Sequence, residues 1–169
     1  GKKIKTQITQ LKDTTEGASM FVEQAKPLIK VLPSLLGESE EKKYLILFQN
    51  DKELRPTGGF LTSYSIFKLD KGVIKVDSQD DIYPLDDAIP NKPVAPAPIL
   101  KYLPKVPRLN LRDSNLSPDF IESMKAFQSL YVRSPLADDD IDGIIALDTH
   151  VLVSTIKILD DQVSAGGIT

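Results

Sequence analysis

YLILFQNDKELRPTGGF, residues 44–60, joins two kinds of sequence. Its first six residues, YLILFQ (44–49), form an apolar run of strand length closed by Gln49, the pattern of a strand covered on both faces. The remainder is polar and ends on Gly58 and Gly59, after which the chain turns apolar again. FLTSYSIFKL (60–69) is rich in aromatic and β-branched residues, and VIKVDSQ (73–79) alternates. With LDKG (69–72) between them, these two runs predict a hairpin.

Upstream, Ile4, Ile8, Leu11, Met20, Phe21, Ala25, Leu28, Ile29, Leu32, Leu35 and Leu36 recur at helical spacing. Gly17 and Pro27 interrupt the pattern and Gly37 stops it. Residues 1–40 are therefore expected as an N-terminal amphipathic helix, packed on or leading into one α/β domain over 41–169. A stalk continuing from an upstream membrane anchor is the alternative. Downstream, residues 80–107 are proline-rich, with KPVAPAP (92–98) at the centre, and read as an extended surface loop with one helical turn at ILKYL (99–103). LNLRD (109–113) reads as a short strand or extended segment. SPDF (117–120) opens the clearest helix: Ser117 as the cap, Pro118 in the first turn, Asp119 complementing the dipole, and Phe120, Met124, Phe127 and Tyr131 on one face. ADDDID (137–142) is an acidic loop, GIIAL (143–147) a buried strand, and Asp148 the cap of a helix over 149–159. Strands alternating with helices predict an α/β fold, a mixed sheet flanked by helices.

The 169 residues suffice for one buried core. A net charge of −3 and a pI near 5.2 leave no basic stripe for nucleic acid. No run reaches the roughly 18 apolar residues of a membrane span, and GKKIKTQITQLKD has no apolar stretch of a signal peptide. The absence of cysteine excludes disulfides, thiolate metal sites and a Cys nucleophile. Gly1 reads like a tag remnant and the chain ends on SAGGIT, so a fragment of something longer, cut at its C-terminal end, is expected.

One histidine, His150, excludes histidine-based zinc sites; no serine sits in a nucleophile-elbow pattern to use it, and it reads as structural or surface. Asp80, Asp81, Asp86 and Asp87 form one acidic cluster, and Asp138, Asp139, Asp140 and Asp142 another. Neither matches the calcium-loop pattern, and solvated loop charge is the simpler reading. Asp80 and Asp81 stand out from the rest because they end a strand expected to neighbour YLILFQ. Two arginines stand out. Arg55 lies beside Thr57-Gly58-Gly59, whose backbone N–H groups suit an anion-binding nest, and Arg112 precedes the SPDF helix start. These residues suit a phosphate site; arginines paired with Asp51, Glu53 or Asp113 are the structural alternative, and on the residues alone the weightier one.

YLILFQNDKELRPTGGF, LRDSNLSPDF and DGIIALD together resemble the bacterial family catalogued as domain of unknown function 4012, over Tyr44 to Asp148. More loosely, YLILFQND with Arg55, VDSQDD, and DGIIALDTHVLVSTIKILDDQVSAGG are similar to the LytR-CpsA-Psr domain. Enzymes of that family move glycopolymers from polyprenyl diphosphate carriers onto the cell wall. VDSQDD lacks the arginine of that family's corresponding segment, and the family's further arginines lie beyond its Gly-Gly. The resemblance implies a three-layer sandwich, anchored to the membrane on its extracytoplasmic face, that binds a phosphorylated polyprenyl lipid or cell-wall glycopolymer. If an enzyme, it implies a phosphotransferase. Arg55, Asp51 and Arg112 would be catalytic; Arg55, Thr57, Gly58, Gly59 and Arg112 would hold phosphate; Asp51, Asp80 and Asp81 would hold Mg²⁺ or serve as base. The alternative is a non-catalytic envelope module that binds glycan or protein. An intracellular enzyme on small phosphates lacks any Walker or dinucleotide fingerprint. A solid core with Arg55 held in an internal ion pair argues against the phosphate reading.

Overall fold

The computed structural model describes residues 12, 20, 22, 23 and 25–159; the helix expected within residues 1–40 therefore lies in part outside them. The chain divides into two compact units, one of residues 1–42 with 69–73 and the other of residues 43–68 with 74–169. In the first, residues 25–35 are helical. Glu38 N–H reaches back to Pro33 O (3.0 Å) and Gly37 N–H to Ser34 O (3.2 Å), with Gly37 at φ 74°. This six-to-one closure is a glycine-stopped helix end. Leu28, Ile29, Val31, Leu32 and Leu35 are all exposed, so the described part has no buried apolar stripe of the kind a packed amphipathic helix requires. No helix of the described residues is long and apolar enough to cross a membrane.

The sheet has four strands, β1 (Lys42–Asn50), β2 (Phe60–Asp70), β3 (Val73–Asp81) and β4 (Gly143–Asp148), in the order β3-β2-β1-β4. The hairpin is present. Its two turn residues, Lys71 and Gly72, both have positive φ (51° and 78°), the type I′ geometry that matches strand twist. β1 is interior, as its apolar run demands, and pairs in parallel with β4 in the register Ile46↔Ile145. Two expectations change here. β3 does not neighbour β1, because β2 intervenes, and all nine of its residues are exposed. β4 is an edge strand whose Ile145 is exposed; parallel pairing on one side only gave it an apolar sequence without full burial.

Between β3 and β4 the chain forms α1 (Ile82–Asp87), α2 (Ala97–Tyr102), a 3₁₀ turn (Leu111–Asp113) and α3 (Phe120–Tyr131); α4 (Thr149–Leu159) follows β4. LNLRD is thus a 3₁₀ turn entered from extended backbone at Asn110, not a strand. The cap of α3 is Asp119, whose carboxylate accepts from the N–H groups of Ile121 and Glu122; Ser117 sits two residues earlier and bonds with Ser123. Asp148 accepts from Val151 N–H, as expected of a cap. Met124, Phe127, Leu130 and Tyr131 of α3 pack on Leu45 and Leu47 of β1, with Leu61, Ile66, Ile82, Leu85 and Leu111 completing the core. Phe127 and Tyr131, one helical turn apart, stack at 5.7 Å. Phe120, assigned by spacing to the same face, is exposed at the helix start.

The acidic loop between α3 and β4 is clamped to the start of β1. Lys43 Nζ lies 2.9 Å from Asp138 Oδ2, and Asp138 N–H donates to Tyr131 Oη at 2.9 Å. Burial raises the Asp138 carboxyl, but the Asp140 N–H and Lys43 outweigh it and hold it below its ordinary 3.8. Lys43 is held above its ordinary 10.5, chiefly by its bond to Asp138. A depressed carboxyl stabilises the fold above its unfolded value and loses that contribution as pH falls through the folded value. The raised amine contributes below its unfolded value and loses it as pH rises through the folded one. Urea midpoints between pH 7 and pH 2.5 are expected to fall less steeply in Lys43→Met than in the native chain. Phe127→Ala is expected to cost about 3–5 kcal/mol in the same measurement, since its ring is fully enclosed.

Candidate functional site

The loop that leaves β1 is held by a buried polar clasp. Gln49 is the last inward residue of β1, and its Nε2 donates to Thr57 Oγ1 (2.7 Å) and Gly59 O (3.2 Å). Asn115, fully buried beyond the 3₁₀ turn, donates through Nδ2 to the same two oxygens, at 2.8 and 2.9 Å. The two carboxamides converge on one hydroxyl and one carbonyl, so the loop has a single conformation to settle into. Gly59 is dictated by proximity: a Cβ there would lie 2.4 Å from Asn50 O.

Arg55 closes the clasp from outside. Its Nη2 lies 3.3 Å from both Asp113 Oδ1 and Glu53 Oε1, its Nη1 donates to Leu54 O at 3.0 Å, and its guanidinium stands 5.1 Å from the Phe60 ring. Only 18% of the side chain is exposed. Arg112 points elsewhere. It bonds Asp86, a fully buried carboxylate that also takes Lys92 Nζ at 2.7 Å and Leu111 N–H at 2.8 Å, and it lies 4.4 Å over the Tyr83 ring. Each arginine therefore meets carboxylates of the protein itself, the pairing that a structural arginine makes. Arg55 also edges a pocket of ≈ 290 Å³ whose walls include Ile99, Tyr102 and Leu103.

A larger cleft, ≈ 750 Å³, opens where β1, β3 and β4 end and β2 begins. Phe48, Asn50, Thr62, Ser63, Tyr64, Gln79, Asp80 and Asp81 line it, with Leu147, Thr149 and Leu152 on the β4–α4 side. None of its lining residues is Lys, Arg or His. The position is the one where open α/β sheets receive ligands, outside the carboxyl ends of parallel strands. Burial raises the Tyr64 phenol above its ordinary 10.0 and the nearby Asp80 charge adds to the rise, so the hydroxyl stays a donor across the neutral range. Asp81 caps α1 by accepting from Tyr83 N–H, and Asp80 accepts from Asp81 N–H at 2.7 Å.

The other expected site residues are dispersed. Asp51 accepts from the Thr149 hydroxyl and pairs with Lys52 at 3.3 Å. Its carboxyl is lowered first by that hydroxyl and then by Lys52. With His150 it borders a shallow depression beside the cleft. Arg55, Arg112 and Asp51 thus have three separate sets of partners. Among the described residues no three His, Cys, Asp or Glu side chains gather as a metal site. Composition and motif did not single out Gln49, Asn115 or Tyr64, and named Asp86 only within an acidic cluster. Gln49 had one signal, a carboxamide closing an otherwise apolar run.

The family model described as "Protein of unknown function (DUF4012)" matches residues 39–167, which include both halves of the clasp and the whole cleft. No curated protein and no solved structure matches the chain.

Gly59→Ala is expected to lower stability by about 3 kcal/mol or more, because the new methyl meets backbone rather than a yielding side chain. Asp86→Ala, which leaves two cations and an N–H facing a void, is expected to cost about 3 kcal/mol. Denaturant midpoints measure both, and a change below about 0.5 kcal/mol in either is within the range of an ordinary surface substitution.

Proposed function

Because the chain belongs to the DUF4012 family, whose description carries no activity, we propose its function from geometry: a non-catalytic module of the cell envelope that binds glycan in the cleft at the carboxyl ends of β1 and β4. The observation that carries this reading is the contrast in where charge sits. The two arginines are neutralised within the protein, whereas the largest cleft described offers amides, hydroxyls, two carboxylates and no cation. Sugar hydroxyls are neutral donors and acceptors, and they pair with carboxamides, carboxylates and hydroxyls alike. Phe48 and Tyr64 add aromatic surface against which the C–H face of a sugar ring packs. Asp80 and Asp81 oppose a phosphate in the same place, since like charges at short range repel without counter-ion. Placement at the extracytoplasmic face rests on the resemblance to LytR-CpsA-Psr domains.

A second reading is a phosphorylated lipid at Arg55. One observation favours it: the apolar walls of the Ile99–Tyr102–Leu103 pocket stand next to a guanidinium. An incoming phosphate has to compete there with Glu53 and Asp113 for the same Nη2. On the sequence resemblance to LytR-CpsA-Psr domains this reading would also place Mg²⁺ at Asp51, Asp80 and Asp81, so the metal belongs in its test.

Titrating the native chain with neutral oligosaccharides (chitotetraose, cellotetraose) and with a short-chain prenyl diphosphate, with and without Mg²⁺, separates the two. The glycan reading expects an oligosaccharide to shift amide resonances of Phe48–Asn50 and Gln79–Asp81, and binding to weaken about tenfold in Gln79→Ala/Asp80→Asn at unchanged melting temperature. Binding of the diphosphate alone, lost in Arg55→Ala while the fold persists, would transfer the function to the arginine pocket. No binding in either series would remove both.

A further inference from the structure

The two edges of the sheet are built differently. β3, the edge beside β2, carries Lys75, Asp77, Asp80 and Asp81 along its length, the charges that natural sheets use to deter edge pairing. β4, the opposite edge, reads Gly-Ile-Ile-Ala-Leu from 143 to 147 and is charged only at its last residue, Asp148, with no proline or described bulge. Its inner side is paired with β1 through six consecutive partners, and among the described residues no strand covers its outer side. A parallel strand bonded on one side only leaves a row of N–H and C=O groups at fixed spacing, which an extended backbone satisfies.

A groove of ≈ 330 Å³ runs beside this edge, between β4 and α3. Phe120, Met124, Val132 and Ile144 give it apolar walls; Asp138, Asp139 and Asp142 border it on the loop side, and Lys125, paired with Glu122, on the α3 side. Side chains of an added strand alternate between its faces, so every second residue falls toward this groove while the backbone pairs with β4. The loop that enters β4 is acidic: Asp139, Asp140 and Asp142 are exposed, the Asp140 side chain by 97% although Lys43 Nζ lies 3.9 Å away, while Asp142 Oδ2 accepts from Lys43 N–H. Charge also argues against a second copy of the chain. Two β4 strands paired antiparallel about Ile145 bring Asp142 of one against Asp148 of the other at both ends, and like charges directly opposite destabilise a ladder.

We propose that the outer edge of β4 receives an extended segment of a partner protein, apolar at alternate positions and carrying Lys or Arg where it meets the Asp139–Asp142 loop. This interface is independent of the glycan cleft. The probe is a fluorescent peptide, Lys-Val-Thr-Val-Thr-Val-Lys, compared with the same peptide ended by Glu, both titrated into the 169-residue chain. The Lys-ended peptide is expected to bind at least tenfold more tightly, to weaken with salt, and to slow amide exchange at Gly143–Leu147. Ile145→Lys is expected to abolish binding. Asp139→Lys/Asp140→Lys, confined to exposed loop positions, is expected to reverse the preference between the peptides even if Ile145→Lys perturbs the strand. Equal affinity for both peptides, or binding by neither up to the solubility limit, overturns the proposal. Slow exchange, without peptide, of the alternate β4 amides that do not donate to β1 overturns it too. If that protection rises with protein concentration, a second copy covers the edge; if it does not, the chain itself does.

Discussion

The carbonyl of Gly59 accepts hydrogen bonds from Gln49 and Asn115, and both donors also hold Thr57 Oγ1. Buried amide donors left without acceptors would each cost about 1–3 kcal/mol, so this arrangement forms as a unit or not at all. It fixes three things together. The end of β1 is held against the start of β2; the segment after the 3₁₀ turn is held against both; and Asp113, two residues before Asn115, is presented to Arg55. Asp86 plays a parallel part from the other side of that turn, by taking Leu111 N–H, Arg112 and Lys92. The proline-rich stretch is thereby anchored at Asp86, at Lys92 and at the antiparallel bridge between Val94 and Arg108, although its sequence reads as loop.

This changes what the most distinctive sequence blocks mean. ELRPTGG and LRDSNLSPDF are rich in the residue types from which anion sites are made, and in three dimensions they are two halves of one internal network. Arg55 and Asp113 are on opposite blocks, as are Thr57 and Asn115. A cation beside a glycine turn has the same composition whether it faces a phosphate or a carboxylate of its own chain. Only the position of the carboxylate distinguishes the two, and residues 58 apart in sequence carry no local signal of it.

Much of the architecture was legible because it depends on local pattern. YLILFQ read as an interior strand, LDKG as the hairpin turn, Gly37 as a helix stop and Asp148 as a cap, each from residues within a few positions of one another. The errors lie where neighbours in space decide. GIIAL has the composition of a covered strand and lies at an edge; the strand ending in Asp80 and Asp81 was placed beside β1, although the hairpin puts β2 between them. LNLRD became a 3₁₀ turn because Asp86 captures its backbone N–H, a tertiary interaction that no propensity encodes. For the site, the motif drew the eye to Arg55, and the cleft lined by Tyr64, Gln79 and Asn50 had no motif at all.

The parallel pairing of β1 with β4 also bears on how the molecule is made. All of residues 51–142 are synthesised before the second neighbour of the central strand exists. Until then one side of YLILFQ has no ladder, and the helix α3 that shields its face has only just left the ribosome. Contacts separated this far in sequence close slowly, because chain entropy is lost before any bond is gained. The hairpin closes over the two turn residues Lys71 and Gly72, whereas the β1–β4 ladder joins Tyr44 to Gly143, so sequence separation alone favours the hairpin before the crossover. Closing the crossover is thus the costliest step in chain entropy, and the interval before it is the period in which the uncovered side of β1 is open to wrong partners.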